Sequence, residues 1–146
     1  MDTFVEREEI QVLRVRADMK GSGPAGAMHD LESKLPTIRG RKFYGTFRPL
    51  PEGEEYFACV ERIAGDDAFR MGVEVGSIPG GLYARRKILD WEQVIAAGKL
   101  TSIFEEMVRA YDIDSSRPDI EFYRSMKEMH LLVPALSKAP RSAPQH

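Results

Sequence analysis

The chain has 146 residues, 42% hydrophobic and 30% charged, with a formal net charge of −2. That suits one soluble domain with room for a real core, and the slightly acidic balance argues against a chain built to bind nucleic acid directly. No apolar run approaches the roughly 20 residues that cross a bilayer as a helix. The opening MDTFVEREEI lacks the basic and apolar regions of a signal peptide, and the lone Cys59 can form no internal disulfide, so a reducing, cytoplasmic setting is expected.

Residues 1–8 are polar and are expected to fray. Ile10 to Arg16 is rich in β-branched residues and reads as a strand of mixed faces. The breakers Gly21 to Pro24 prepare a helix, on which Ala27, Met28, Leu31 and Leu35 recur at helical spacing until Pro36 and Gly40 end it. Lys42–Arg48 and Tyr56–Ile63 are strand-like runs joined by a Pro/Gly turn, which predicts a hairpin. After Gly65 the pattern restarts. Phe69 to Val75 is expected to be extended, Ser77 to Gly81 a kinked loop, and Leu82 to Leu89 a strand. Asp90 with Gln93 predicts a capping box, and Trp91, Val94 and Ile95 begin a helical stripe that Gly98 interrupts. Leu100, Ile103, Phe104, Met107, Val108 and Tyr111 form the main helix, followed by strands at Ile120–Met126 and Met129–Val133. Residues 137–146 hold two prolines and no apolar periodicity, and are expected to form a disordered tail beyond a single domain of residues 1–136.

The second half thus repeats the first. Lys42-Phe43-Tyr44 and Glu121-Phe122-Tyr123 occupy the same place after each helix, at the same offset as Met28 and Met107. The expectation is an α+β fold: duplicated β-α-β-β units, residues 8–64 and 69–135, related by pseudo-two-fold symmetry, with antiparallel sheets packed into one core and Phe43 superposed on Phe122.

Tests for catalytic chemistry mostly return nothing. His29, His130 and His146 are scattered, and Cys59 has no ligand at metal-binding spacing, so no metal site is expected. His130 reads as a satisfied sheet-face residue. There is no nucleophile elbow, phosphate loop or dinucleotide fingerprint, so no cofactor is expected. Arg39 to Lys42 and Arg85 to Lys87 are basic runs beside tyrosines, but strand parity splits adjacent residues between faces, and a solvated face is the better reading. Glu121 is harder to set aside. It shares parity with Tyr123 and Asp119, opposite to Ile120 and Phe122. It is either an exposed, inert carboxylate, or one desolvated in an aromatic cleft, where it would attract a cation.

Several short motifs, in order, carry a family likeness. Pro118-Asp119-Ile120-Glu121-Phe122-Tyr123, the strand ending Leu131-Leu132-Val133-Pro134, and Ile78 to Ala84 are three of them. With Gly23-Pro24 and Lys42-Phe43-Tyr44-Gly45, they resemble stand-alone members of the gyrase-inhibitor-like small-molecule-binding domains, the effector-binding domains of AraC- and MerR-type regulators. The resemblance spans about residues 8–136. It implies two β-α-β-β units with a ligand cleft between them that takes hydrophobic, aromatic, often cationic molecules. Glu121 matches the family's buried pocket glutamate, and Tyr83 and Tyr123 match its conserved tyrosines. Pattern and symmetry add Tyr44, Tyr56, Trp91 and Phe104 as ligand-binding candidates. Too few residues precede the first strand for a helix-turn-helix module, so the chain is not expected to be such a regulator itself.

The leading expectation is a binding protein that sequesters or senses such a small molecule. The alternative is a hydrolase that opens strained cyclopropane-type rings of DNA-alkylating natural products, with Glu121 as the water-activating base and Tyr83 or Tyr123 as hydrogen-bond donor. A third class is an inhibitor that binds a protein partner of gyrase type. No membrane association is expected in any of them.

Overall fold

A computed structural model describes residues 2–141. Its elements run β1 (Thr3–Arg7), β2 (Ile10–Arg16), α1 (Gly23–Ser33), β3 (Phe43–Leu50), β4 (Gly53–Glu61), α2 (Ala68–Met71), β5 (Glu74–Ile78), β6 (Gly81–Leu89), α3 (Trp91–Ala96), α4 (Leu100–Ala110), β7 (Tyr111–Ile113), β8 (Asp119–Tyr123) and β9 (Glu128–Pro140). The strands join one antiparallel sheet in the order β1-β6-β9-β8-β3-β4-β2-β5, with β7 added to β9.

That order is symmetric about the β3–β8 pair. β4 answers β9, β2 answers β6, and β5 answers β1, so the duplicated β-α-β-β fold with its pseudo-dyad is present. The outermost strands are exchanged: β1 precedes β2 in the chain but pairs with β6, while β5 precedes β6 but pairs with β2. Only Glu8 and Glu9 join β1 to β2, and only Pro79 and Gly80 join β5 to β6. Links this short span about 10 Å, so the two ends of the sheet must come together and it curls into a half-barrel. The links touch where they cross. A Cβ on Gly80 would lie 2.8 Å from the Arg7 carbonyl oxygen and from the Glu9 nitrogen, which leaves room only for glycine.

The curl gives the sheet two different faces. The inner face buries Val12, Tyr44, Phe57, Cys59, Ile78, Tyr83, Ile120 and Leu132 in one cluster. The outer face carries the helices. α1 packs on β2 and β4 through Ala27 and Leu31, and α4 packs on β7 and β9 through Met107. The central strands β3 and β8 run between the two helices.

Several expectations need correction. Residues 2–7 do not fray: Phe4 and Val5 alternate between the two faces, and Asp2 accepts hydrogen bonds from Arg86 (2.6 and 3.0 Å) and from the Tyr111 hydroxyl (2.6 Å). Phe69 to Val75 is not one extended run, because the Asp67 side chain accepts from the Arg70 amide and caps the short α2 before β5 begins. The Asp90 capping box does not form. Asp90 is left-handed (φ 51°), and its side chain makes no cap hydrogen bond. Ser137 to Pro140 are not the expected tail, since β9 runs on to Pro140 beside β7; residues 142–146 lie outside the described residues.

The equivalence of Phe43 with Phe122 also fails. A dyad normal to a sheet keeps each residue on its own face. Phe43 packs on the outer face against the α1 cluster, whereas Phe122 packs on the inner face, stacked on Tyr44 with centroids 4.9 Å apart. Tyr44, not Phe43, stands opposite Phe122 in the ladder. The two Phe-Tyr pairs are one residue out of step.

Candidate functional site

The β3–β8 register builds the floor between the helices. On the outer face, Phe43 stands opposite Tyr123, Gly45 opposite Glu121, and Phe47 opposite Asp119. β4 adds Val60, Ala58 and Tyr56 beside the same three rows, and β9 flanks Tyr123 and Glu121 with Met129 and Leu131. Phe43, Phe47 and Tyr123 are only half-buried, as are Met28 on α1, Phe104 and Val108 on α4, and Trp91 on α3. These half-buried side chains line the stretch of sheet between the helices, along the pseudo-dyad, and make it the candidate binding groove.

Glu121 lies in the middle of its floor with 8% of its surface exposed. The Tyr56 hydroxyl donates to Glu121 Oε1 at 2.6 Å and the Tyr123 hydroxyl donates to the same oxygen at 2.9 Å. Among the described residues, Oε2 accepts no hydrogen bond and no cation pairs with the carboxylate. To reach Glu121, Tyr56 must cross β3, and it does so over Gly45. A Cβ there would lie 2.0 Å from the Tyr56 hydroxyl and 2.4 Å from Glu121 Oε1, so the missing side chain is what admits the contact.

Burial dominates the electrostatics. It raises the Glu121 carboxyl above its ordinary value, against the pull of the two tyrosine hydroxyls. It also pushes Tyr56 and Tyr123 far up, helped by the neighbouring carboxylate, so both stay neutral donors. Asp119, on the same face of β8, is pushed up to about 6 by burial alone.

The candidate residues divide by face. Glu121, Tyr56 and Tyr123 come together. Trp91 joins them edge-on to Tyr123, centroids 5.2 Å apart, with its indole nitrogen donating to the Ser125 carbonyl at 2.9 Å. Phe104 packs into the same α4-side cluster. Tyr44 and Tyr83 do not join them, because both lie on the inner face. Tyr83 is fully buried there, donates to the Pro79 carbonyl, and carries the Arg117 guanidinium 4.8 Å above its ring. Gly45, Phe43 and Phe47 were not among the candidates. The signal for Gly45 was a glycine inside a strand pattern; Phe43 and Phe47 become visible only once Glu121 is paired with Gly45.

His130 is buried at 5% exposure, with Nε2 2.7 Å from a Glu128 oxygen, a satisfied sheet residue. Burial pushes the Cys59 thiol up to about 12, so it stays protonated. No group of three or more His, Cys, Asp or Glu among the described residues is placed to hold a metal ion, and none of their helices is long and apolar enough to cross a membrane. A cavity of about 450 Å³ opens elsewhere, beside Tyr44 and Ile10, with Arg7, Lys42, Arg62 and three glutamates around it. It borders the inner-face cluster and has no part in the groove.

No family model matches the sequence, and no curated protein matches it. Solved structures do match in fold. An integron cassette protein from the mobile metagenome of Vibrio cholerae superposes with a TM-score of 0.66 at 14% identity, covering 96% of this chain and 95% of that one. The protein SAV2435, bound to tetraphenylphosphonium, gives 0.55 at 11% identity, over 92% and 93% of the two chains. A hydrolase from Listeria innocua gives 0.52 at 10% identity, over 91% and 90%. At these identities the likeness is one of fold, and it extends over nearly the whole length of each chain.

Proposed function

We propose that this protein binds hydrophobic aromatic cations in the groove between α1 and α4, with Glu121 as the anionic contact, and that it sequesters or senses them. The observation that carries the reading is the Glu121 carboxylate. It is buried, both of its hydroxyl donors sit on Oε1, and Oε2 has no partner among the described residues. A buried carboxylate without a cation is costly, and a cation that enters an apolar site offsets that cost while its own desolvation is shared by aromatic faces. The half-buried ring faces of Phe43, Phe47, Trp91, Phe104 and Tyr123 provide such surfaces. The tetraphenylphosphonium complex of one structural neighbour supports this ligand class.

Titration calorimetry with tetraphenylphosphonium, and with neutral triphenylphosphine oxide as control, tests it. Glu121→Gln should weaken the cation by about 1–3 kcal/mol, the scale of a hydrogen bond to a charged group, and the neutral compound far less. Equal effects on both compounds, or none on either, would refute the proposal.

A second reading rests on the raised Glu121 carboxyl and on the hydrolase among the neighbours. There, Glu121 acts as the base that activates water against a strained ring, and Tyr123 donates to the substrate. In that case Glu121→Gln retains binding and loses turnover. Tyr83, on the other face, has no role in either reading.

A further inference from the structure

We propose that Asp119 is a second anionic contact of the groove, and that the ligands it favours carry two cationic centres on one aromatic frame. This rests on the reading of Glu121 above and extends it to the ligand's charge. Asp119 and Glu121 are two residues apart on β8, on the same outer face, which sets them roughly 7 Å apart along the floor. Asp119 is half-buried, and its carboxylate makes no hydrogen bond or ion pair among the described residues. Other carboxylates drawn into the fold are matched: Asp66 with Arg41 at 2.7 Å, Asp2 with Arg86 at 2.6 Å, and Asp114 with Arg117 at 2.9 Å. Asp119 instead faces Phe47 across the ladder.

Burial holds both carboxyls of this neighbouring pair above their ordinary range. A single cation at Glu121 leaves Asp119 desolvated and uncompensated. A dication of matching span relieves both. The flanking Phe47 ring suits the apolar frame between the two charges.

The test compares benzyltrimethylammonium with its para-bis-quaternary analogue, whose nitrogens match the roughly 7 Å spacing of alternate strand residues. Both charges are permanent, so the ligands' own titration does not enter. Wild-type protein should bind the bis compound about tenfold more tightly than the mono compound, a difference of about 1.4 kcal/mol. Asp119→Asn should abolish that preference by weakening the bis compound far more than the mono compound; Asp119→Ser should do the same, and Glu121→Gln should weaken both ligands. Equal wild-type affinities, or a preference that survives both Asp119 variants, would overturn the proposal. If tetraphenylphosphonium binding still depends on Glu121, only the dication inference falls. If neither ammonium nor phosphonium binds, the reading of Glu121 falls with it.

Discussion

Adjacent residues of β3, Tyr44 and Gly45, meet adjacent residues of β8, Phe122 and Glu121, yet the two pairings have nothing in common. On the inner face, Tyr44 and Phe122 stack in an apolar cluster. On the outer face, Gly45 makes way for a tyrosine to reach a buried carboxylate. Pleating alone separates them. Crossed two-residue links curl the sheet around the inner face, and on the outer face each helix packs on its own half. On the proposed reading, stability and recognition fall on opposite sides of the same strand pair, so substitutions one residue apart should act on different properties.

The largest effect should come from the inner face. Leu132→Ala empties a fully buried position and should cost about 2–5 kcal/mol of stability in denaturant unfolding, with tetraphenylphosphonium affinity unchanged in the folded fraction. Altered selectivity between cation and neutral ligand would break the separation of faces. Gly45→Ala comes next. Its Cβ must displace the Tyr56 hydroxyl and Glu121, at an overpacking cost of about 1–3 kcal/mol, and here cation binding should be lost as well. Retained affinity would show that the contact over Gly45 does not organise the groove.

A smaller effect runs the other way. The Asp119 carboxyl titrates at about 6 in the folded chain against 3.8 unfolded, so the folded state holds the extra proton between those values. Stability from this group therefore falls as pH rises from about 4 to about 6, and the penalty is complete above that. Asp119→Asn should stabilise the protein at pH 7–8 by about 1–2 kcal/mol, allowing for partial exposure, and by nothing measurable below about pH 3.5. A gain that does not depend on pH would remove the burial argument. Tyr56→Phe should act in the opposite sense at neutral pH, removing one donor to a charged acceptor at a cost of about 1–2 kcal/mol.

The order of the main elements could be read in the sequence because Pro and Gly punctuate it and the apolar stripe of α4 is clean, whereas β1, α2 and β7 could not. What could not be read was long-range. β1 is a short edge strand whose partner β6 lies in the other half, and its Glu6 and Arg7 look like a solvated terminus. The exchange of β1 with β5 leaves no local trace, and Lys138 and Pro140 conceal the end of β9. Within the site, Glu121 and Tyr123 were visible together because parity within one strand needs no register. Tyr44 and Tyr83 were misplaced because parity on separate strands fixes a face only after the ladder is known. The repeated Phe-Tyr pair misled by a single residue, which on a pleated strand changes the face.

On the proposed reading, Glu121 is a buried carboxylate that receives a cation. The most direct measurement is the pH titration of its side-chain carboxyl carbon by NMR in protein with labelled glutamate, assigned by Glu121→Gln, with and without tetraphenylphosphonium. In the free protein Glu121 should titrate above the ordinary glutamate value of about 4.3, and the bound cation should draw that value down. An ordinary value in the free protein, or one that does not move when the cation binds, would contradict it.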